Sequence, residues 1–171
     1  PAIELAASRL FAGMAPESVL NMTTSQDVLK RAQSDGHLWV VLADEAPVGF
    51  ALVEVVERDA AHLEEIDVHP DHGRRGLGTK LVMHVCRWAA AAGFQSVTLN
   101  THRDVPWNAP FYTRLGFEIV PHDELSPALR AIFENETRRG LDPSCRVVMR
   151  RPSTTAWADP TAVVDRSVTE D

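Results

Sequence analysis

The chain has 171 residues, 44% of them apolar, and a formal net charge of −7. That length suits one domain with a full core, and with no membrane-length apolar run and no secretory signal, no membrane partner is expected. The negative charge argues against nucleic acid and suits a cationic acceptor, while two cysteines, Cys86 and Cys145, are too few for a disulfide framework and point to the cytoplasm.

Residues 3–14 have helical spacing, with Ile3, Leu5, Ala6, Leu10 and Met14 on one side. Ser25 reads as the N-cap of a second helix, 26–34, closed by Gly36. Residues 37–43 and 48–57 read as strands joined by the hairpin signal Asp44-Glu45-Ala46-Pro47, and 62–68 as the next strand. Leu77, Leu81, Val85, Trp88 and Ala92 mark a long helix ended by Gly93 and Phe94. A strand at 96–101, a helix at 108–115, a strand at 117–120, a polar helix near 126–139 and a strand at 145–150 follow. The domain is expected to span 1–150, with 151–171 as a tail in which Ala162-Val163-Val164 offers a spare strand.

The run from His69 to Leu81, with Gly73-Arg74-Arg75-Gly76-Leu77-Gly78-Thr79-Lys80, places a glycine- and arginine-rich turn between a strand and a helix start. Glycines let the backbone approach a ligand, the first-turn N–H groups lack partners, and the helix dipole adds about half a positive charge. A phosphate or pyrophosphate is the ligand expected there. A Walker A loop fails because Thr79-Lys80 is in the wrong order, and a dinucleotide fingerprint fails because Leu81 stands at its third glycine. The plain alternative is a solvated turn.

A second segment, Val105-Pro106-Trp107-Asn108-Ala109-Pro110-Phe111-Tyr112-Thr113-Arg114-Leu115-Gly116-Phe117, is a short helix with a tyrosine and a Gly-Phe close. Together the two segments resemble the acetyl-CoA loop and the later tyrosine motif of the GNAT superfamily of N-acetyltransferases. Gly73 stands where that superfamily has Gln or Arg, and the Val-Pro-Trp-Asn-x-Pro-Phe-Tyr run looks like that of a bacterial subgroup. The resemblance covers about residues 3–150. It implies an α/β (α+β) fold with a mixed, mostly antiparallel central sheet flanked by helices. Such domains usually open with a strand, whereas this chain starts on its first helix.

The resemblance also implies roles. Arg74, Arg75, Gly76, Leu77, Gly78 and Thr79 would bind the phosphates of acetyl-CoA. The backbone of Ile66, Asp67 and Val68 would pair with the pantetheine arm and polarise the thioester carbonyl. Tyr112 would assist the departing thiolate, against the alternative of a core tyrosine. Asn108 would bond the cofactor, or else serve as an N-cap.

Leu63-Glu64-Glu65-Ile66-Asp67-Val68 places carboxylates on both faces of one strand, with Glu64 sharing a face with Ile66 and Val68, and Glu65 with Asp67. Glu64 or Glu65 is expected to be the base or an acceptor ligand, and Asp67 structural; a wet strand edge is the alternative. His102 and Asp104 are further candidates to face the acceptor, Cys86 reads as core, and no metal is expected. Asp123, Glu124 and the helix near 126–139 are expected to wall the acceptor site.

The expected function is acetyl-CoA-dependent transfer to a primary amine of a small molecule, directly within a ternary complex; a homodimer is compatible with it. A protein N-terminus or lysine is the second choice of acceptor. A non-catalytic acyl-CoA-binding module and a nucleotide-triphosphate binder are the readings from other classes.

Overall fold

A computed structural model describes residues 1–153. The expected tail, including Ala162-Val163-Val164, lies outside the described residues apart from its first three positions. The helices are α1 (Ala2–Ser8), α2 (Glu17–Leu20), α3 (Gln26–Ser34), α4 (Leu77–Ala91), α5 (Ala109–Arg114) and α6 (Pro127–Arg138). The strands are β1 (Leu38–Ala43), β2 (Ala46–Glu54), β3 (Ala60–Val68), β4 (Ser96–His102), β5 (Glu118–Val120) and β6 (Arg146–Pro152). They form one six-stranded sheet in the order β1-β2-β3-β4-β6-β5. Only β3 and β4 run parallel; every other pairing is antiparallel. The architecture is therefore the mixed, mostly antiparallel sheet flanked by helices that the sequence implied. Among the described residues no helix is long and apolar enough to cross a membrane.

The periodic residues of α4 explain its place. Leu81, Val85 and Ala89 repeat at helical spacing and pack on Ala51, Val53, Ala61 and Leu63 of the sheet. Tyr112, Leu115 and Phe117 extend the same core beneath α5. On the opposite face α3 covers Phe50 and Leu52, and α6 sets Leu129 on Val148. Ser25 and Ser126 cap α3 and α6 by accepting from the N–H groups of Val28 and Leu129.

Two regions depart from the expected elements. The first helix stops at Ser8, because one turn of 3-10 helix (Arg9–Phe11) leads into Gly13 at φ 79°, and Pro16 then sets up the unforeseen α2. The hairpin turn is only two residues long: Asp44 and Glu45 both take positive φ, so β2 begins at Ala46 rather than 48.

Candidate active site

The turn before α4 presents a row of bare donors. Arg74 sits at φ 57° and Gly76 at φ 75°, and Lys80 is the first residue of the helix to donate back, to the carbonyl of Gly76. The backbone N–H groups of residues 74–79 donate to no acceptor among the described residues. A Cβ at Gly76 would meet open space, so glycine is needed there for its left-handed φ and not for room. Arg74 and Arg75 are both exposed beside these donors. Gly78 faces the second motif instead: a Cβ there would lie 3.7 Å from the Phe111 ring.

Beside this turn the sheet splits. β3 pairs with β4 only from Ala60 to Leu63, opposite Ser96 to Leu99. Beyond that point Ile66, Asp67 and Val68 pair with β2 alone, and residues 100–102 of β4 pair with β6 alone. The main chain of residues 66–68 is thus left with one free edge. Gly49 keeps β2 tight against it, since a Cβ there would stand 2.8 Å from the Asp67 carbonyl oxygen.

A bulge sets which side chains face the split. Leu52 is opposite Glu65 but Val53 is opposite Leu63, so Glu64 has no partner on β2. Side-chain alternation slips by one at that point. Leu63, Ile66 and Val68 consequently all face the main core, while Glu64, Glu65 and Asp67 all line one cavity of about 590 Å³. This corrects the expected pairing of Glu64 with Ile66 and Val68 on one face. The cavity is lined on one side by α1 and the chain up to the loop after α2, through Glu4, Phe11 and Thr24, and on the other by Glu136, Arg139 and Arg146.

A row of bare backbone donors, a free strand edge and an acid-lined cavity coincide with a sequence match. Residues 8–117 match the acetyltransferase (GNAT) family. This chain belongs to that family. It is 32% identical over 96 residues to an uncharacterised N-acetyltransferase of Methanocaldococcus jannaschii, covering 53% of this chain and 42% of that protein. It is 42% identical over 83 residues to a mycothiol acetyltransferase of Parafrankia sp., covering 46% and 23%. The matched stretch thus spans less than half the length of these curated relatives. Its fold is similar to N-acetylglutamate synthase from Neisseria gonorrhoeae complexed with coenzyme A and N-acetyl-glutamate, with TM-score 0.66, 18% identity, and coverage of 89% and 32%. It is similar as well to the PaiA N-acetyltransferase from Thermoplasma acidophilum in complex with coenzyme A, with TM-score 0.64, 15% identity, and coverage of 88% and 89%.

In this GNAT domain Tyr112 is buried, with its ring edge-on to Phe111 and Phe117 at 5.1 and 5.8 Å. Its hydroxyl makes no hydrogen bond to any described residue. Burial, reinforced by the charge of Asp67, pushes its pKa well above 10, so it keeps its proton at every working pH. Asn108 precedes α5 but does not cap it with its side chain. Its Nδ2 donates to Thr101 Oγ1 at 2.7 Å, and its buried Oδ1 is without a partner.

The carboxylates of this GNAT domain differ sharply from one another. Thr24 Oγ1 donates to Glu65 at 2.7 Å, and Thr24 N donates to Glu4 at 2.6 Å. Burial pushes Glu65 up to about 9, so it carries a proton at neutral pH, which suits a hydrogen-bond donor and not a resting base. Asp67 is raised to about 6 by burial, with Glu4 adding repulsion and a hydrogen bond from Glu65 opposing. Glu64, at the rim, is raised by desolvation and by the charges of Glu54 and Glu136. Its carboxylate is 3.7 Å from Nε2 of buried His62.

His102 lines the cavity, as the sequence allowed, but Asp104 does not. Asp123 and Glu124 are also outside it; of the expected wall only the C-terminal end of α6 is present, through Glu136 and Arg139. Sequence reasoning missed Glu4, Thr24 and Arg146. Glu4 reads as the wet side of an amphipathic helix, yet it is only 4% exposed. Arg146 carries a bidentate pair with Glu136, at 2.6 and 3.2 Å, and its one signal is a basic residue at a strand start.

Proposed function

We propose that this domain is an acetyl-CoA-dependent N-acetyltransferase acting on a primary amine of a small molecule, by direct transfer in a ternary complex. The observation that carries this reading is the continuity of the bare donors at 74–79 with the free edge of β3 and the acid-lined cavity. Relatives solved with coenzyme A support it.

The residues present fit acetyl-CoA. Phosphate oxygens would meet the N–H groups of Arg74, Arg75, Gly76, Leu77, Gly78 and Thr79, with the two guanidiniums adding charge. The free main chain of Ile66, Asp67 and Val68 offers a strand edge to an extended amide-bearing arm, and an N–H to a carbonyl. Asn108 Oδ1, an acceptor with no donor, suits an N–H of the same ligand. Bound there, acetyl-CoA supplies an acetyl group on a good leaving thiolate.

The chain's own work is to hold, shield and move protons. Tyr112, kept neutral by burial, donates a hydrogen bond where negative charge collects on sulfur. Glu64 and Asp67 attract an ammonium into the cavity. Glu65, bonded to Thr24, which in turn bonds Glu4, holds the chain from α1 to the loop after α2 against the cavity as one wall. A cavity of about 590 Å³ is of the size that takes a small molecule.

The test is release of free thiol from acetyl-CoA with a panel of alkylamines, amino acids, polyamines and short peptides. Turnover confined to small amines supports the reading. Turnover of peptides alone would reassign the acceptor to protein, and tight acetyl-CoA binding with silence across the panel would favour a binding module.

A further inference from the structure

His102 ends β4, opposite Arg146 of β6, at the mouth of the split. It is 8% exposed, lines the cavity, and its ring nitrogens make no hydrogen bond to any described residue. Phe11 stacks on the ring at 5.2 Å and an interplanar angle of 26°, which fixes its orientation. His62 gives the contrast. It is more deeply buried, and its Nδ1 is matched to Thr98 Oγ1 at 2.9 Å. The His102 imidazole is thus held in place by its neighbours while its nitrogens, matched by no described residue, stay open to the cavity, where an acceptor can meet them.

Resting on the proposed acetyl transfer, we propose that His102 is a catalytic residue that takes the proton from the acceptor's ammonium. Its environment suits the task. Burial, then the charge of Arg146, holds its pKa below 6.5, with Glu136 opposing, so the ring is neutral at pH 7. The other charged groups around the cavity are Glu4, Glu64, Glu65, Asp67 and Arg139. Of these Glu65 already carries a proton, and Asp67 is the rival base.

The step balances. R–NH3⁺ gives one proton to the free nitrogen of His102, and the nitrogen lone pair so released bonds to the thioester carbonyl carbon. The C–S bond breaks with its electron pair leaving on sulfur. The nitrogen's second proton ends on that sulfur as free thiol, and His102 returns its own to water.

The experiment compares wild type with His102→Gln, His102→Asn and Asp67→Asn, using an alkylamine and methoxyamine as acceptors across pH 5–9. An alkylamine is almost wholly protonated at pH 7, whereas methoxyamine is already unprotonated and needs no base. Both His102 variants are expected to lose about 100-fold in kcat/KM with the alkylamine but only a few-fold with methoxyamine. With the alkylamine the wild-type profile should level off once His102 is deprotonated, whereas the His102 variants should climb without a break toward pH 9 as free amine accumulates, with KM for acetyl-CoA kept. Equal losses with both acceptors, or a break that persists in the His102 variants and vanishes in Asp67→Asn, would overturn the proposal. If wild type turns over neither these nor any amine of the wider panel, the acetyl-transfer reading itself falls.

Discussion

Thr24 and Glu65, 41 residues apart in sequence, are joined by a 2.7 Å hydrogen bond that ties the segment from α1 to the loop after α2 to the central strand of the site. Apart from the Thr24–Glu4 bond and the Phe11–His102 stack, that segment offers the cavity few polar anchors. Thr24→Val keeps the shape and removes the tie. It should cost about 1 kcal/mol, lowering Tm by roughly 2–4 °C, and raise KM for the amine while leaving KM for acetyl-CoA unchanged. Equal rises in both KM values would mean that the segment does not wall the acceptor side alone.

Gly76→Ala isolates backbone strain, since open space surrounds the added methyl and only the φ of 75° resists it. The expected cost is about 1 kcal/mol. Because the turn's N–H groups are displaced with it, KM for acetyl-CoA should rise at least several-fold, with kcat at saturation retained. Calorimetric titration with coenzyme A checks the binding directly.

Tyr112→Phe removes a hydroxyl that has no partner among the described residues and keeps the ring that packs on Phe117. Thermal stability should therefore hold or rise slightly, whereas kcat should fall by about 100-fold. Loss of stability without loss of kcat would return this tyrosine to the core.

Stability should respond to pH in opposite directions through two buried groups. Glu65 has a folded pKa of about 9 against 4.5, so the folded state binds more protons between those values and stability falls as pH rises through them. His62 is lowered from 6.5 to about 4, so the unfolded chain binds more protons there and stability falls as pH drops through that window. Glu65→Gln should flatten the alkaline decline, and His62→Gln the acid one, in thermal melts taken across pH 4–9. Unchanged slopes in either variant would assign that limb to other groups.

The elements built on local patterns were legible: α4 from its apolar repeat and Gly93, α3 from Ser25, the turn before α4 from its glycines and the helix behind it. The cavity was much less so. Its key device, the bulge at Glu64, comes from the register of β3 against β2 and leaves no local mark, because a strict alternation reads equally well with or without it. Glu4 and Arg146 join the site from opposite ends of the chain, and the sequence shows only a helix glutamate and a strand arginine. The break after Ser8 was hidden by apolar spacing that continues into residues whose backbone has already turned.

The sheet order has one more consequence. β6 is the last strand in the described chain, yet it lies between β4 and β5, both made before it. During synthesis β5 has no hydrogen-bonded neighbour, and the cavity has no Arg146, until residues 146–152 emerge and thread into that gap. The half of the sheet that carries α5 is therefore a late-closing unit, assembled by long-range pairing. A nascent chain halted before residue 146 should carry the turn before α4 without the finished cavity.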